Sequence, residues 1–162
     1  MLLDTHALVW ALIAPEALTE AASRALGGTG QRCLSAASLY EIVYKARLGK
    51  WPDVVPLAAF DFERRLVEDG FEIIPATGAI MQRAGALDWH HRDPFNRVIV
   101  ATALIRGLPV VSTDEALDGN GSPDWRGKGR AALAGGPGRW RSGAVRSGSL
   151  SSGRRRRAAG SH

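Results

Sequence analysis

The chain has one cysteine in 162 residues, Cys33, so no disulfide can form within it, and a lone thiol in an apolar run suits a reducing compartment. No apolar run approaches the roughly 18 residues that a membrane span needs. No basic segment precedes Leu2-Leu3, as it would in a secretory leader. These three absences predict a protein that stays in the cytoplasm and contacts no membrane. Acidic residues are also nearly missing from the last part of the chain. From Gly119 onward Asp124 stands alone against ten Lys and Arg, leaving 11 of 21 basic and 15 of 16 acidic residues for positions 1–118. The formal charge of +5 therefore belongs to the tail, and the body carries a net charge of −4.

What is present between Met1 and Asp118 has the length and apolar content of one domain. Leu2-Leu3 reads as a short buried strand ending at Asp4-Thr5-His6, followed by a helical pattern over Ala7 to Ile13 that stops near Pro15. A short helix from Thr19 to Leu26 leads to a strand at Arg32-Cys33-Leu34-Ser35. Ser38-Leu39-Tyr40-Glu41 matches a capping box, and apolar residues at helical spacing run from Leu39 to Gly49. Trp51 to Pro56 reads as a loop, Leu57 to Asp69 as one amphipathic helix, and Phe71-Glu72-Ile73-Ile74 as a strand ended by Pro75. A helix over about Ala79 to Leu87 precedes the most informative stretch, His90-His91-Arg92-Asp93-Pro94-Phe95-Asn96-Arg97. Asp93 suits an N-cap, Pro94 the first helical turn, and Gly107 the stop, before a β-branched strand at Val110-Val111.

Strands alternating with helical crossovers predict an α/β fold, a mainly parallel sheet covered on both faces. Ligands bind such sheets at the carboxyl ends of the strands. Asp4 and Asp114 fall at two of those ends, and Glu41, Asp93 and Asn96 lie early in helices that start from the same edge. Gathered acids suit a hard divalent cation such as Mg²⁺, which takes oxygen ligands and supports water attack on a phosphodiester. Each also has a local role open to it: Asp4 and Asp93 as caps, Glu41 as the return arm of the capping box, Asp114 in a turn, with caps worth ~1 kcal/mol each. Adjacent histidines diverge on regular structure, so His90 and His91 read as loop polarity. Lys45, Arg92 and Arg97 suit phosphate contacts at the rim. Trp10, Tyr40 and Phe95 read as core residues rather than stacking platforms.

From Gly119 the helical and strand patterns fail. The Gly/Ser/Arg-rich stretch 119–162 cannot bury enough surface to offset chain entropy and is predicted to be disordered.

Four blocks, Leu2-Leu3-Asp4-Thr5-His6-Ala7-Leu8-Val9-Trp10, Ser35-Ala36-Ala37-Ser38-Leu39-Tyr40-Glu41-Ile42, His91-Arg92-Asp93-Pro94-Phe95-Asn96-Arg97 and Val111-Ser112-Thr113-Asp114, resemble in order and spacing the signature blocks of PIN-domain proteins. More narrowly they resemble the VapC-type toxins of bacterial toxin–antitoxin modules. The resemblance implies a three-layer PIN fold over 1–118, Mg²⁺- or Mn²⁺-dependent ribonuclease activity, a homodimer, and a cognate antitoxin that covers the acidic site. It places metal ligands at Asp4, Glu41 and Asp114. The family's remaining aspartate falls on position 96, where this chain has Asn96. The site thus loses one negative charge, worth up to about 4 kcal/mol per unit-charge pair at ~4 Å and an effective dielectric of 20. Asp93, one turn earlier, is placed to compensate in part. Weakened cleavage is expected, and a catalytically inactive domain that binds antitoxin or RNA is the alternative.

Family members also continue past the last aspartate with a short helix and a final strand, which 119–162 does not resemble. That stretch reads either as the product of a shifted reading frame or as a basic arm for RNA phosphates. A receiver- or phosphatase-like domain would also gather acids at strand ends. It would need a lysine after a late strand, and none follows Val110-Val111 in the body.

Overall fold

A computed structural model of the chain describes residues 1–58, 61–89, 91–112 and 117. Asp114, His90 and the whole 119–162 stretch fall outside these residues. The elements are β1 (Leu2–Leu3), α1 (Thr5–Ile13), α2 (Glu20–Gly27), β2 (Arg32–Ser35), α3 (Ala36–Arg47), α4 (Phe62–Glu68), β3 (Phe71–Ile74), α5 (Gly78–Gly85), α6 (Pro94–Arg106) and β4 (Val110–Val111). Single turns of 3-10 helix occupy Pro15–Ala17 and Pro52–Val54. All strand pairs are parallel, and the sheet order is β3-β2-β1-β4. The sequence-based α/β expectation is met, with helical crossovers between successive strands.

Register explains the three layers. Leu2 pairs with Cys33 and Val110, and Leu3 pairs with Leu34 and Val111. Because neighbouring residues of a strand point to opposite faces, the two sets feed two separate cores. Leu3, Leu34 and Val111 pack with Leu8, Ile42, Phe62 and Leu66 from α1, α3 and α4. Leu2, Cys33 and Val110 pack on the other face with Ile80 and Ala84 of α5 and Val98 to Ala101 and Ala103 of α6. Two apolar faces per strand are what a sheet buried on both sides requires.

Most helix ends follow the local signals. Thr19 and Thr77 accept from the N–H groups of Ala22 and Ile80, and Gly107 ends α6 in the left-handed region at φ 63°. Two expectations fail. The helix predicted over Leu57 to Asp69 is confined to Phe62–Glu68, because the Pro52–Val54 turn and the turn at 55–58 take up the residues before it. The capping box at Ser38 and Glu41 does not exist. β2 runs into α3 without a loop, Ser35 is the cap and accepts from the Ala37 N–H at 3.3 Å, and Ser38 and Glu41 lie inside the helix. Among the described residues no helix is long and apolar enough to cross a membrane.

Cys33 is buried in the second core with Glu72 at its sulfur, and Glu72 is ion-paired to Arg106 at 2.9 Å. Burial pushes the thiol pKa up, with the nearby Glu72 adding to the effect. A group whose pKa is higher folded than unfolded stabilises the fold below the unfolded pKa and loses that contribution as pH rises through the folded one. Urea unfolding followed from pH 8 to 10 should therefore show stability falling more steeply in the natural chain than in Cys33→Ala. Equal slopes would contradict this coupling. At pH 8 a thiol reagent should modify Cys33 only after urea is added.

Candidate metal centre

The strand ends place the first acid. Asp4 follows β1 directly, and its backbone N–H donates to the Val111 carbonyl at 2.9 Å, so parallel pairing holds the residue beside β4. Its carboxylate splits between two tasks. Oδ1 accepts from the Ala7 N–H at 2.6 Å, capping α1, and Oδ2 accepts from the Ser112 hydroxyl. Only 2% of Asp4 is exposed. The cap that the sequence suggested is real, but a cap needs neither burial nor a second donor, and Asp4 has both.

The second acid arises from the early start of α3. With Ser35 as cap, Glu41 sits in the helix's second turn, 2% exposed. Lys45, one turn later, holds its Nζ 2.5 Å from Glu41 Oε1 and 4.4 Å from the centre of the Trp51 ring. Trp51 in turn packs edge-on against His6 at 4.9 Å. A continuous series of contacts thus runs from His6, two residues past Asp4, through Trp51 and Lys45 to Glu41. Lys45 was expected at the rim as a phosphate contact; its ammonium is instead committed to the acid.

The α6 start supplies the third cluster. Asp93 caps the helix, accepting from the Phe95 N–H at 2.8 Å, and its own N–H donates to His91 Nδ1 at 3.3 Å. The Asn96 side chain meets the same ring, its Nδ2 lying 3.4 Å from His91 Nε2. His91 therefore steadies position 96, a role that no local pattern announces. Phe95 lies 5.7 Å from Tyr40, which joins the α6 start to the turn of α3 that carries Glu41.

Arg97 is placed quite differently from its expected role. Its guanidinium donates to the carbonyls of Ala84, Gly85, Leu87 and Trp89, between 2.6 and 3.3 Å. These carbonyls lie at the end of α5 and in the following turn, so Arg97 fastens α5 to α6. Arg92 is exposed ahead of the helix. Tyr40 also departs from expectation: it is 60% exposed, not core. Phe95 and Trp10 are partly buried.

Whether a divalent cation suits this edge can be judged from two hydroxyls. Thr5 Oγ1, next to Asp4, and Ser38 Oγ, one turn before Glu41, are buried and find no hydrogen-bond partner among the described residues. Orphaned buried hydroxyls are uncommon and call for a reason. They add oxygen donors to those of Asp4, Glu41, Asp93 and the Asn96 amide, residue types that suit a hard cation of the Mg²⁺ or Mn²⁺ type. Among the described residues no three His, Cys, Asp or Glu side chains gather in metal-binding geometry. Asp4, Glu41 and Asp93 therefore do not make such a group by themselves, and Asp114 lies outside the described residues.

Known proteins support the same architecture. The chain is similar to Ribonuclease VapC22 of Mycobacterium tuberculosis (strain ATCC 25618 / H37Rv), with 26% identity over 124 residues, which is 76% of this chain and 93% of that protein. A toxin-antitoxin complex from Klebsiella pneumoniae matches its fold with a TM-score of 0.52 at 21% identity, covering 76% of this chain and 92% of the other. VapBC2 from Rickettsia felis, bound to a DNA fragment from their promoter, matches with a TM-score of 0.53 at 14% identity and the same coverage. The PIN domain model matches residues 1–121, spanning every element described above and the Asp4, Glu41 and Asn96 positions, and the chain belongs to the PIN domain family.

Proposed function

We propose that this chain is a VapC-type toxin: a metal-dependent endoribonuclease that hydrolyses RNA phosphodiester bonds, with activity weakened by Asn96. The observation that carries the proposal is a pair of carboxylates, Asp4 and Glu41, each 2% exposed and each beside a buried hydroxyl that lacks a hydrogen-bond partner among the described residues. Burying two carboxylates at one edge is costly, and a hard cation held between them would offset that cost.

Asp4, Glu41, Asp93, Asn96 and Asp114 are the residues that would hold Mg²⁺ or Mn²⁺. When bound, the cation supplies Lewis acidity for the phosphodiester and lowers the pKa of water. The chain's own groups do the rest. Ser112 and the α1 N-terminus hold the Asp4 carboxylate in one orientation. His91 orients the side chain at 96, and Arg92 is placed to meet a phosphate. Water then attacks phosphorus in line while the P–O ester bond breaks and the departing oxygen takes up a proton.

The family likeness extends the proposal to partners. The solved neighbours are toxin–antitoxin complexes, and a cognate antitoxin covering the acidic edge fits a chain of this kind. We further propose a homodimer that acts in the cytoplasm.

A second reading is favoured by two observations, the amide at 96 and the Lys45–Glu41 pair. In it the domain binds RNA or antitoxin without cleaving. The deciding experiment compares Mn²⁺-dependent cleavage of total RNA by the natural chain and Asn96→Asp, with calorimetric Mn²⁺ titration of both. The proposal expects saturable binding by both and cleavage at least tenfold faster in Asn96→Asp. Equal rates would remove the role given to position 96, and no saturable binding by either would leave the binding-only reading.

A further inference from the structure

The face of α3 beside Glu41 carries rings that the catalytic reading does not use. Tyr40 and Tyr44 are 60% and 46% exposed, stacked 5.7 Å apart with their planes only 11° from parallel. Phe95 extends the series from the start of α6, 5.7 Å from Tyr40. We propose that Tyr40 and Tyr44, continued by Phe95, form a stacking platform for unpaired RNA bases flanking the scissile bond. This inference rests on the ribonuclease reading and names the form of substrate it takes, a single strand with splayed bases.

Exposed aromatic rings on a soluble helix need a reason, because their faces are among the most favourable surfaces to cover. Three features point to nucleobases. The rings are flat, nearly parallel and tipped with hydroxyls, a surface that matches any base and reads no sequence. Arg47 is exposed three residues after Tyr44, on the same side of α3, and exposed Arg92 lies three residues before Phe95. Cations thus flank the aromatic series, the interleaving that single-stranded nucleic-acid grooves use. Finally, Tyr40 and Phe95 are the immediate chain neighbours of Glu41 and Asn96, so a base stacked on them brings its phosphate to the acidic edge. Val43 and Leu48 are also exposed on α3, which makes a second copy of this chain the competing occupant.

The test uses the full chain and a fluorescein-labelled, unstructured RNA 12-mer in EDTA, where no cleavage occurs, read by anisotropy in salt high enough to suppress the contribution of the arginine-rich tail. Replacing both tyrosines by leucine keeps an apolar surface and removes the rings; replacing both by phenylalanine keeps the rings. The platform predicts about tenfold or greater loss of affinity for the leucine pair and near-natural affinity for the phenylalanine pair. It also predicts that an oligonucleotide with abasic positions binds the natural chain weakly, and that the leucine pair no longer distinguishes it from the intact strand. Leucine variants that bind as the natural chain does would overturn the proposal. So would leucine variants that become monomeric in sedimentation with RNA affinity unchanged, which would assign the face to a second copy. Since both positions are exposed, thermal melts of the variants should match the natural chain. Failure of the ribonuclease reading is separate: it would appear as no Mn²⁺-dependent cleavage by the natural chain or Asn96→Asp, whatever the EDTA arms show.

Discussion

Replacing Arg97 with methionine is expected to destabilise the protein by about 3 kcal/mol or more, lowering the melting temperature by roughly 10–20 °C. The methionine keeps most of the aliphatic stem and removes only the donors, so the loss reports the hydrogen bonds. Four carbonyls would lose the guanidinium they share, of which Leu87 keeps the Trp89 N–H, and acceptors stripped of a charged donor lose more than those stripped of a neutral one. Lysine should not rescue, because an ammonium on a flexible stem cannot reach four acceptors spread over a helix end and the turn after it. Urea unfolding of the methionine and lysine variants checks this. Stability within 1 kcal/mol of the natural chain in either would refute the fastening role. The same substitution should also lower any RNA cleavage, since the α5–α6 junction supports the turn that carries Asp93 and Asn96.

Asp4→Asn is expected to do the reverse, leaving the fold nearly intact while removing metal-dependent cleavage. An asparagine side chain can still cap α1 through its amide oxygen, and Asn ranks with Asp as a cap, so the stability change should stay within about 1 kcal/mol. Its NH₂ cannot accept from Ser112, but the serine hydroxyl can turn and accept from it instead. The charge, however, is lost from a residue that is almost fully buried. A missing unit charge near a cation is worth up to about 4 kcal/mol at an effective dielectric of 20, or roughly a thousandfold in metal affinity. Cleavage by Asp4→Asn in the Asn96→Asp background, with Mn²⁺ titration and a urea curve on the same samples, separates the two effects. Cleavage surviving at the background level would take Asp4 out of the proposed site. A collapse in stability would show that the carboxylate serves the fold first.

The contrast between these two residues shows what could be read in advance. Asp4 and Asp93 were legible because each announces itself locally, an acid between a short apolar strand and a helix or just ahead of a proline. The parallel sheet was legible for a similar reason, since short β-branched or leucine runs alternate with helical periods. Arg97 was not, because its partners lie 8 to 13 residues away on another helix, and no local pattern links a guanidinium to distant carbonyls. Ser38 misled because Ser35-Ala36-Ala37-Ser38 offers two serines one helical turn apart. Only the end of β2 decides which one caps, and that placed Glu41 deeper in its helix than the motif suggested. Tyr40 was misjudged because aromatic residues are usually buried, and nothing local shows that this face of α3 looks outward. The hydroxyls of Thr5 and Ser38 carried a faint signal, small polar side chains at i+1 and i−3 from the two acids.

One of the two inner strands of the sheet is Leu2-Leu3, two identical residues that supply one side chain to each core. Greasiness alone cannot tell them apart, so it gives this strand no preference for one alignment over its neighbour. Alignment is instead imposed by Asp4, which sits well only where it can reach the first turn of α1 and the Ser112 hydroxyl together. A slip by a single position would drive an ionised group between apolar layers. The acid proposed for chemistry is thus also the pin that stops this inner strand from sliding.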